Sequence, residues 1–77
     1  MDVITATVDA RGQSCPGPLV ALHKALKDVH PGDLLELLAT DPGSRSDVPS
    51  WSKLSGHELL DASETQGGVY RYVIRKV

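Results

Sequence analysis

Disulfide and zinc chemistry find almost no material in this chain: of 77 residues one is cysteine and three are histidine. One cysteine cannot close an internal disulfide, and the paired Cys and His spacings of a structural zinc site are missing, so stability has to come from packing. Phenylalanine is absent, and the aromatic set is Trp51, Tyr70 and Tyr72, few for a surface that binds nucleic acid by stacking. Charge of one sign is lacking too. Eight Lys and Arg stand against ten Asp and Glu, a net of −2, which argues against broad electrostatic binding of nucleic acid or anionic lipid. No stretch approaches the roughly 18 apolar residues of a membrane span, and residues 1–8 hold no basic region followed by a long apolar run. A soluble, cytoplasmic protein with no membrane partner is expected. There is no linker, internal repeat or low-complexity tract, so residues 1–77 are expected to form a single small domain with one core.

What is present reads as a regular alternation of elements. Ile4, Ala6 and Val8 alternate with Thr5 and Thr7, the period of a strand with one buried face. Leu19, Leu22, Leu26 and Val29 then share one helical face, with His23, Lys24, Lys27 and Asp28 around the rest. His30-Pro31-Gly32-Asp33 ends that helix, and Leu34 to Ala39, short and bounded by turn residues, predicts a second strand. Asp41-Pro42 signals a helix start and Gly56 a helix end, with Pro49 predicting an irregular beginning and regular helix only after Val48. On that helix Val48, Trp51 and Leu54 are expected to share the buried face, with Trp51 in the core. Leu59-Leu60 opens a less regular strand, Gln66-Gly67-Gly68 turns, and Val69 to Val77 predicts the last strand of a hairpin. Along it Tyr70, Tyr72 and Ile74 alternate with Arg71, Val73 and Arg75, so the sheet is expected to carry helices on one side only. The fold class is α+β: a two-layer α/β sandwich, order βαβαββ, with a four-stranded mixed sheet and two helices on one face.

The single cysteine, Cys15, lies in Asp9-Ala10-Arg11-Gly12-Gln13-Ser14-Cys15-Pro16-Gly17-Pro18, where the first strand pattern gives way to the first helical one. Prolines lack a backbone donor and are tolerated in a helix's first turn, where donors have no partner anyway. Cys15 is therefore predicted as N-cap, with Pro16 at N1, Gly17 at N2 and Pro18 at N3, and with the Gly17 amide free to point at the sulfur. The positive end of a helix favours thiolate over thiol and lowers a cysteine's pKa from its free value near 8.5. A buried cysteine would be a small apolar filler; the loop context favours a reactive thiol. Arg11 reads equally as a thiolate or partner contact and as a solvated loop charge. Gly12 reads as a turn residue needing positive φ, and Asp9 as a turn former bonding nearby amides.

At this point the chain resembles the TusA/SirA-like sulfur carriers. The residues that carry the resemblance are Asp9-Ala10-Arg11-Gly12, Cys15-Pro16-Gly17-Pro18, Pro31-Gly32-Asp33, Thr40-Asp41-Pro42, Asp47-Val48-Pro49, Gly56-His57-Glu58-Leu59 and Tyr72-Val73-Ile74-Arg75-Lys76. The resemblance implies the sandwich just derived and a Cys-Pro-x-Pro cysteine, here Cys15, that carries sulfane sulfur as a persulfide. It implies a cysteine desulfurase or rhodanese-like donor and a downstream acceptor protein. Relays for tRNA 2-thiolation, molybdenum cofactor supply and dissimilatory sulfur oxidation all use such carriers. Ser14 stands where some members have a basic residue, and Ser52 where some have a second cysteine. Without a resolving cysteine a persulfide is not collapsed into a disulfide, which fits a relay better than a thiol-disulfide oxidoreductase.

The expected activity is sulfur transfer through Cys15, with Pro16, Gly17 and Pro18 shaping the helix start and Arg11 as a further contact. No metal or cofactor is expected, nor direct nucleic-acid binding, and the protein is expected to be a monomer. Lys24 and Lys27 read as solvated helix charges or as a dock for an acidic partner; Arg71, Arg75 and Lys76 read as a basic strip keeping the open sheet face soluble. Two other classes are a monothiol redox sensor, which would show sulfenate on Cys15, and a regulatory or nucleic-acid-binding module.

Overall fold

Strand β1 (Ile4–Ala10) forms where β-branched and small apolar residues alternate with threonines, and burial alternates along it as that period requires. The computed structural model describes residues 3–14 and 16–77; the capping position predicted for Cys15 lies outside the described residues. Helix α1 (Gly17–Leu26) buries Pro18, Leu22 and Leu26, with Val29 buried just beyond it. Its start corrects the expected register by one residue: Pro16 is the N-cap, not N1. The Gly17 N–H donates to the Ser14 carbonyl at 2.7 Å and the first α-type bond runs from the Val20 N–H to the Pro16 carbonyl at 3.0 Å. The Gly17 amide is thus taken up by Ser14 ahead of the helix, which starts one residue later than expected.

Strand β2 (Leu34–Ala39) lies where its short leucine-rich run predicts. Helix α2 (Ser44–Ser55) differs from expectation at both faces and at its start. Ser44 and Arg45 donate to the carbonyls three residues back, Asp41 and Pro42, and the first four-residue bond is Asp47 N–H to Gly43 at 3.0 Å. Asp41 thus opens a preceding tight turn, its Oδ1 accepting from the Gly43 N–H at 3.3 Å, while Gly43 is the N-cap. The helix then runs straight through Pro49. A proline removes one backbone bond, and buried Val48 and Ser52 on either side of it hold the helix against the core. Leu54 is corrected from buried to 91% exposed, and Ser52 takes the inward place. Six positions past Val48 is about 120° off its face, whereas four positions is about 40°. Gly56 closes the helix at φ 82°, its N–H donating to the Ser52 carbonyl at 3.0 Å.

Strands β3 (Glu58–Thr65) and β4 (Val69–Arg75) form the expected hairpin across Gln66-Gly67-Gly68. An irregularity between Leu59 and Asp61 leaves Leu60 without a partner, which makes β3 the less regular strand. The sheet is mixed, in the order β1-β2-β4-β3, with β1 and β2 parallel and the other pairs antiparallel. Both helices pack on one face, over a core of Leu22, Leu26, Leu35, Leu37, Val48 and Ile74 with buried Ala10, Ala39 and Tyr72.

The other face is a lattice of ion pairs. Arg71 bonds Glu36 and lies 3.5 Å from Asp61, Arg75 bonds Glu58, and the Thr7 hydroxyl donates to Glu36 at 3.1 Å. Lys76 turns away altogether, its Nζ donating to the Leu26 and Val29 carbonyls at 2.6 and 2.8 Å and so closing the C-terminal end of α1. The predicted basic strip is corrected accordingly: each of its cations is engaged, because antiparallel pairing sets acidic residues of β2 and β3 beside the arginines.

Register places the loops. Ala10 pairs with Ala39 and Ala39 with Tyr70, so the segments after β1, after β2 and before β4 all lie at one edge of the sheet. Both helices start from that edge.

Candidate functional site

The segment between β1 and α1 is held in shape by its own residues. The Gln13 N–H donates to the Ala10 carbonyl at 3.2 Å, closing a four-residue turn. Gly12 sits third in that turn at φ 80°, the conformation a type II turn requires and that a side chain would strain. Asp9 accepts from the Arg11 backbone N–H at 3.1 Å and from its guanidinium twice, at 2.8 Å each. That fork holds the Asp9 carboxyl down at about 2 and raises Arg11 above its ordinary value. The turn-forming roles expected of Asp9 and Gly12 are what the geometry has. The Arg11 guanidinium is engaged by Asp9 rather than standing free.

A second set of contacts comes from the neighbouring segment. The Gly12 N–H donates to the Thr40 hydroxyl at 2.9 Å, tying the Cys15 segment to the residue that follows β2. Sequence reasoning assigned Thr40 no role. The available signal was a hydroxyl residue directly after a strand that lies parallel to β1, but only the strand pairing gives that signal meaning.

Around Cys15 the structure describes the flanks. Ser14 and Pro16 are exposed, Gly17 is half-buried and Pro18 is buried. The Gly17 amide, expected to point at the sulfur, is instead donated to Ser14, because the tight turn before α1 uses it. Outward from this start, α1 shows Val20, 46% exposed, then His23, Lys24 and Lys27.

Next to this segment α2 begins. Ser44 Oγ and the Tyr72 hydroxyl are 2.8 Å apart and buried, and burial pushes the Tyr72 phenol up from its ordinary range. Arg45 lies over the Tyr70 ring, 5.7 Å from its centroid. Arg45, Tyr70 and Tyr72, with Ala62, Ser63 and Glu64, line a cleft of about 200 Å³. The histidines are elsewhere and apart. His23 and His30 are exposed, and His57 stacks on Trp51 at 5.7 Å with its Nδ1 accepting from the Val77 N–H. Among the described residues no group of three or more His, Cys, Asp or Glu is placed to hold a metal ion, and no helix is long and apolar enough to cross a membrane.

Comparison with known proteins places this arrangement. A family model described as "Sulfurtransferase TusA" matches residues 6–76. The sulfur carrier protein TusA of Pseudomonas fluorescens (strain SBW25) is 45% identical over 73 residues, spanning 95% of this chain and 87% of that protein. A putative sulfur carrier protein of Archaeoglobus fulgidus is 43% identical over 70 residues, spanning 91% of this chain and 94% of its own. The crystal structure of a SirA-like protein from Desulfitobacterium hafniense superimposes with a TM-score of 0.80 at 28% identity, covering 91% of this chain and 95% of that one. With the match running from β1 to the end of β4, the chain belongs to the TusA family of sulfur carriers.

Proposed function

We propose that this protein carries sulfur as a persulfide on Cys15. The observation that carries the reading is the place of the lone cysteine. It immediately precedes Pro16, the N-cap of a ten-residue helix, at the sheet edge from which both helices start. A thiolate there is favoured by the positive end of α1, and the exposed flanks Ser14 and Pro16 leave the segment open to another protein's active site. The Cys15 thiolate attacks the outer sulfur of a donor cysteine persulfide. A new S–S bond forms on Cys15 as the donor's S–S bond breaks, and the donor leaves as thiolate. Attack by an acceptor thiolate on the outer sulfur of Cys15-S-SH reverses these roles and returns Cys15 as thiolate. No external oxidant or reductant enters.

Pro16, Gly17 and Pro18 set the helix start, and Arg11, through Asp9, sets the loop. The donor is a cysteine desulfurase or a rhodanese-like protein. The acceptor belongs to a relay for tRNA thiolation, molybdenum cofactor supply or sulfur oxidation, and capture of the acceptor distinguishes these. Turnover needs both partners, in the cytoplasm, and the carrier is a single domain acting as a monomer of 8.2 kDa. Light scattering after size exclusion checks the monomer. The exposed α1 stripe of Val20, Lys24 and Lys27 leads away from Cys15 and supports a partner with an apolar spot beside acidic residues.

The deciding experiment is intact mass after incubation with a cysteine desulfurase and cysteine, wild type against Cys15→Ser. The wild type is expected to gain about one sulfur atom, lost on reduction, and the variant none. No gain from this donor or from a rhodanese with thiosulfate, with Cys15 still open to alkylation, overturns the reading in favour of a redox sensor or a binding module.

A further inference from the structure

The geometry points to Thr40 as a positioning residue for Cys15, acting through the backbone amide of Gly12. This rests on the carrier reading for its purpose, and on strand pairing for its substance. Ala10 and Ala39 are paired and fully buried, so the residue after each strand starts from a fixed, neighbouring point. From there the Thr40 hydroxyl accepts the Gly12 N–H at 2.9 Å.

Among the described residues, the other bonds of the turn itself are local. Gln13 bonds Ala10, and Arg11 bonds Asp9; they shape the turn without stating where it sits relative to the second loop. The Thr40 bond does that. It holds Gly12 in the orientation its φ of 80° dictates, and it joins the segment to Asp41, whose carbonyl opens the turn before α2. On the far side of Cys15, the Gly17 amide is held by the Ser14 carbonyl at 2.7 Å. In the sequence Cys15 comes between two held amides, that of Gly12, bonded to Thr40, and that of Gly17, bonded to Ser14. Releasing the Thr40 pin frees Gly12, three residues before Cys15, and with it the path by which the chain enters the positive end of α1, where a thiolate is favoured.

The test compares Thr40→Val, which keeps the branched shape and removes the acceptor, with Thr40→Ser, which keeps the hydroxyl. Three quantities are read: exchange of the Gly12 amide by NMR, the pH profile of Cys15 alkylation by iodoacetamide, and the thermal midpoint. With Thr40→Val, Gly12 exchange is expected to rise about tenfold, and alkylation at neutral pH to fall about three- to tenfold with its profile moved to higher pH. Thr40→Ser is expected to stay within about twofold of wild type in both. An unmoved alkylation profile in a folded Thr40→Val overturns the proposal, and so does a Gly12 amide that exchanges freely in the wild type, a measurement that needs no variant to fold. Failure of the carrier reading looks different. The wild type then gains no sulfur from any donor, while Thr40→Val still moves the alkylation profile.

Discussion

Asp9 and Arg11, two residues apart, illustrate how a pair of exposed charges is useful for geometry more than for energy. Both side chains are about half exposed, where an ion pair adds little to stability, yet their three bonds set the turn that leads to Cys15. The larger energetic effect of a charge at this scale belongs to Glu36. It accepts from Arg71 and from Thr7 on the open sheet face, and the Arg71 guanidinium holds its carboxyl below the usual carboxylate range. A carboxyl depressed in the folded state stabilises the fold above its unfolded value and loses that contribution as pH falls through the folded one. Glu36→Gln is therefore expected to cost about 1 kcal/mol at neutral pH and to flatten the fall in stability below about pH 4, read from urea midpoints across pH. A variant whose acid profile matches wild type removes Glu36 from the account. The sequence showed Arg71 as one of three cations on the last strand. That it faces Glu36 depends on register, which no local pattern encodes.

Helix α2 is the element in which local signals and packing disagree. Its end was legible: Gly56 follows the last helical residue, and the structure holds it at φ 82° in open space. Gly56→Ala is expected to cost about 1 kcal/mol, since a side chain there meets left-handed strain but no clash, and thermal unfolding with unchanged far-ultraviolet circular dichroism checks it. A cost near zero would mean that the helix end relaxes freely. Its start and its faces were less legible. Asp41-Pro42 carries the cap signal, yet Asp41 and Pro42 accept three-residue turn bonds from Ser44 and Arg45 and the N-cap falls at Gly43, and Pro49 lies inside the helix because Val48 and Ser52 are held against the core. Ser52 fills the inward place that leucine chemistry alone would assign to Leu54, and its hydroxyl donates to the His57 carbonyl at 2.6 Å. The polar group is satisfied, so its burial carries no penalty. Helix α1 behaved more simply, because its apolar stripe is continuous and its C-terminal carbonyls meet Lys76.

At the scale of the molecule, one face of one sheet supplies the core. Leu37 lies at its middle, fully buried on β2 between β1 and β4. Leu37→Ala is expected to cost about 3 kcal/mol and to lower the thermal midpoint by roughly 15 °C, a large share of the total for so small a protein. A drop of only a few degrees in calorimetry would show that the two helices close over the gap. The same sheet locates the site. Parallel pairing of β1 with β2 sends both following segments to one edge, and there the Cys15 segment, Thr40 and the start of α2 come together.

The order of elements, the stripe of α1, the turn at Gly12 and the position of the lone cysteine before a helix were decided by the sequence itself, because each rests on contacts or conformations within a few residues. The place of β4 between β2 and β3, the outward turn of Leu54, the pairing of Arg71 and Arg75 with acidic neighbours and the bond from Gly12 to Thr40 were decided by the tertiary structure alone. Each of these depends on which strands lie side by side and in what register, and that is set by burying one shared core rather than by any local run of residues.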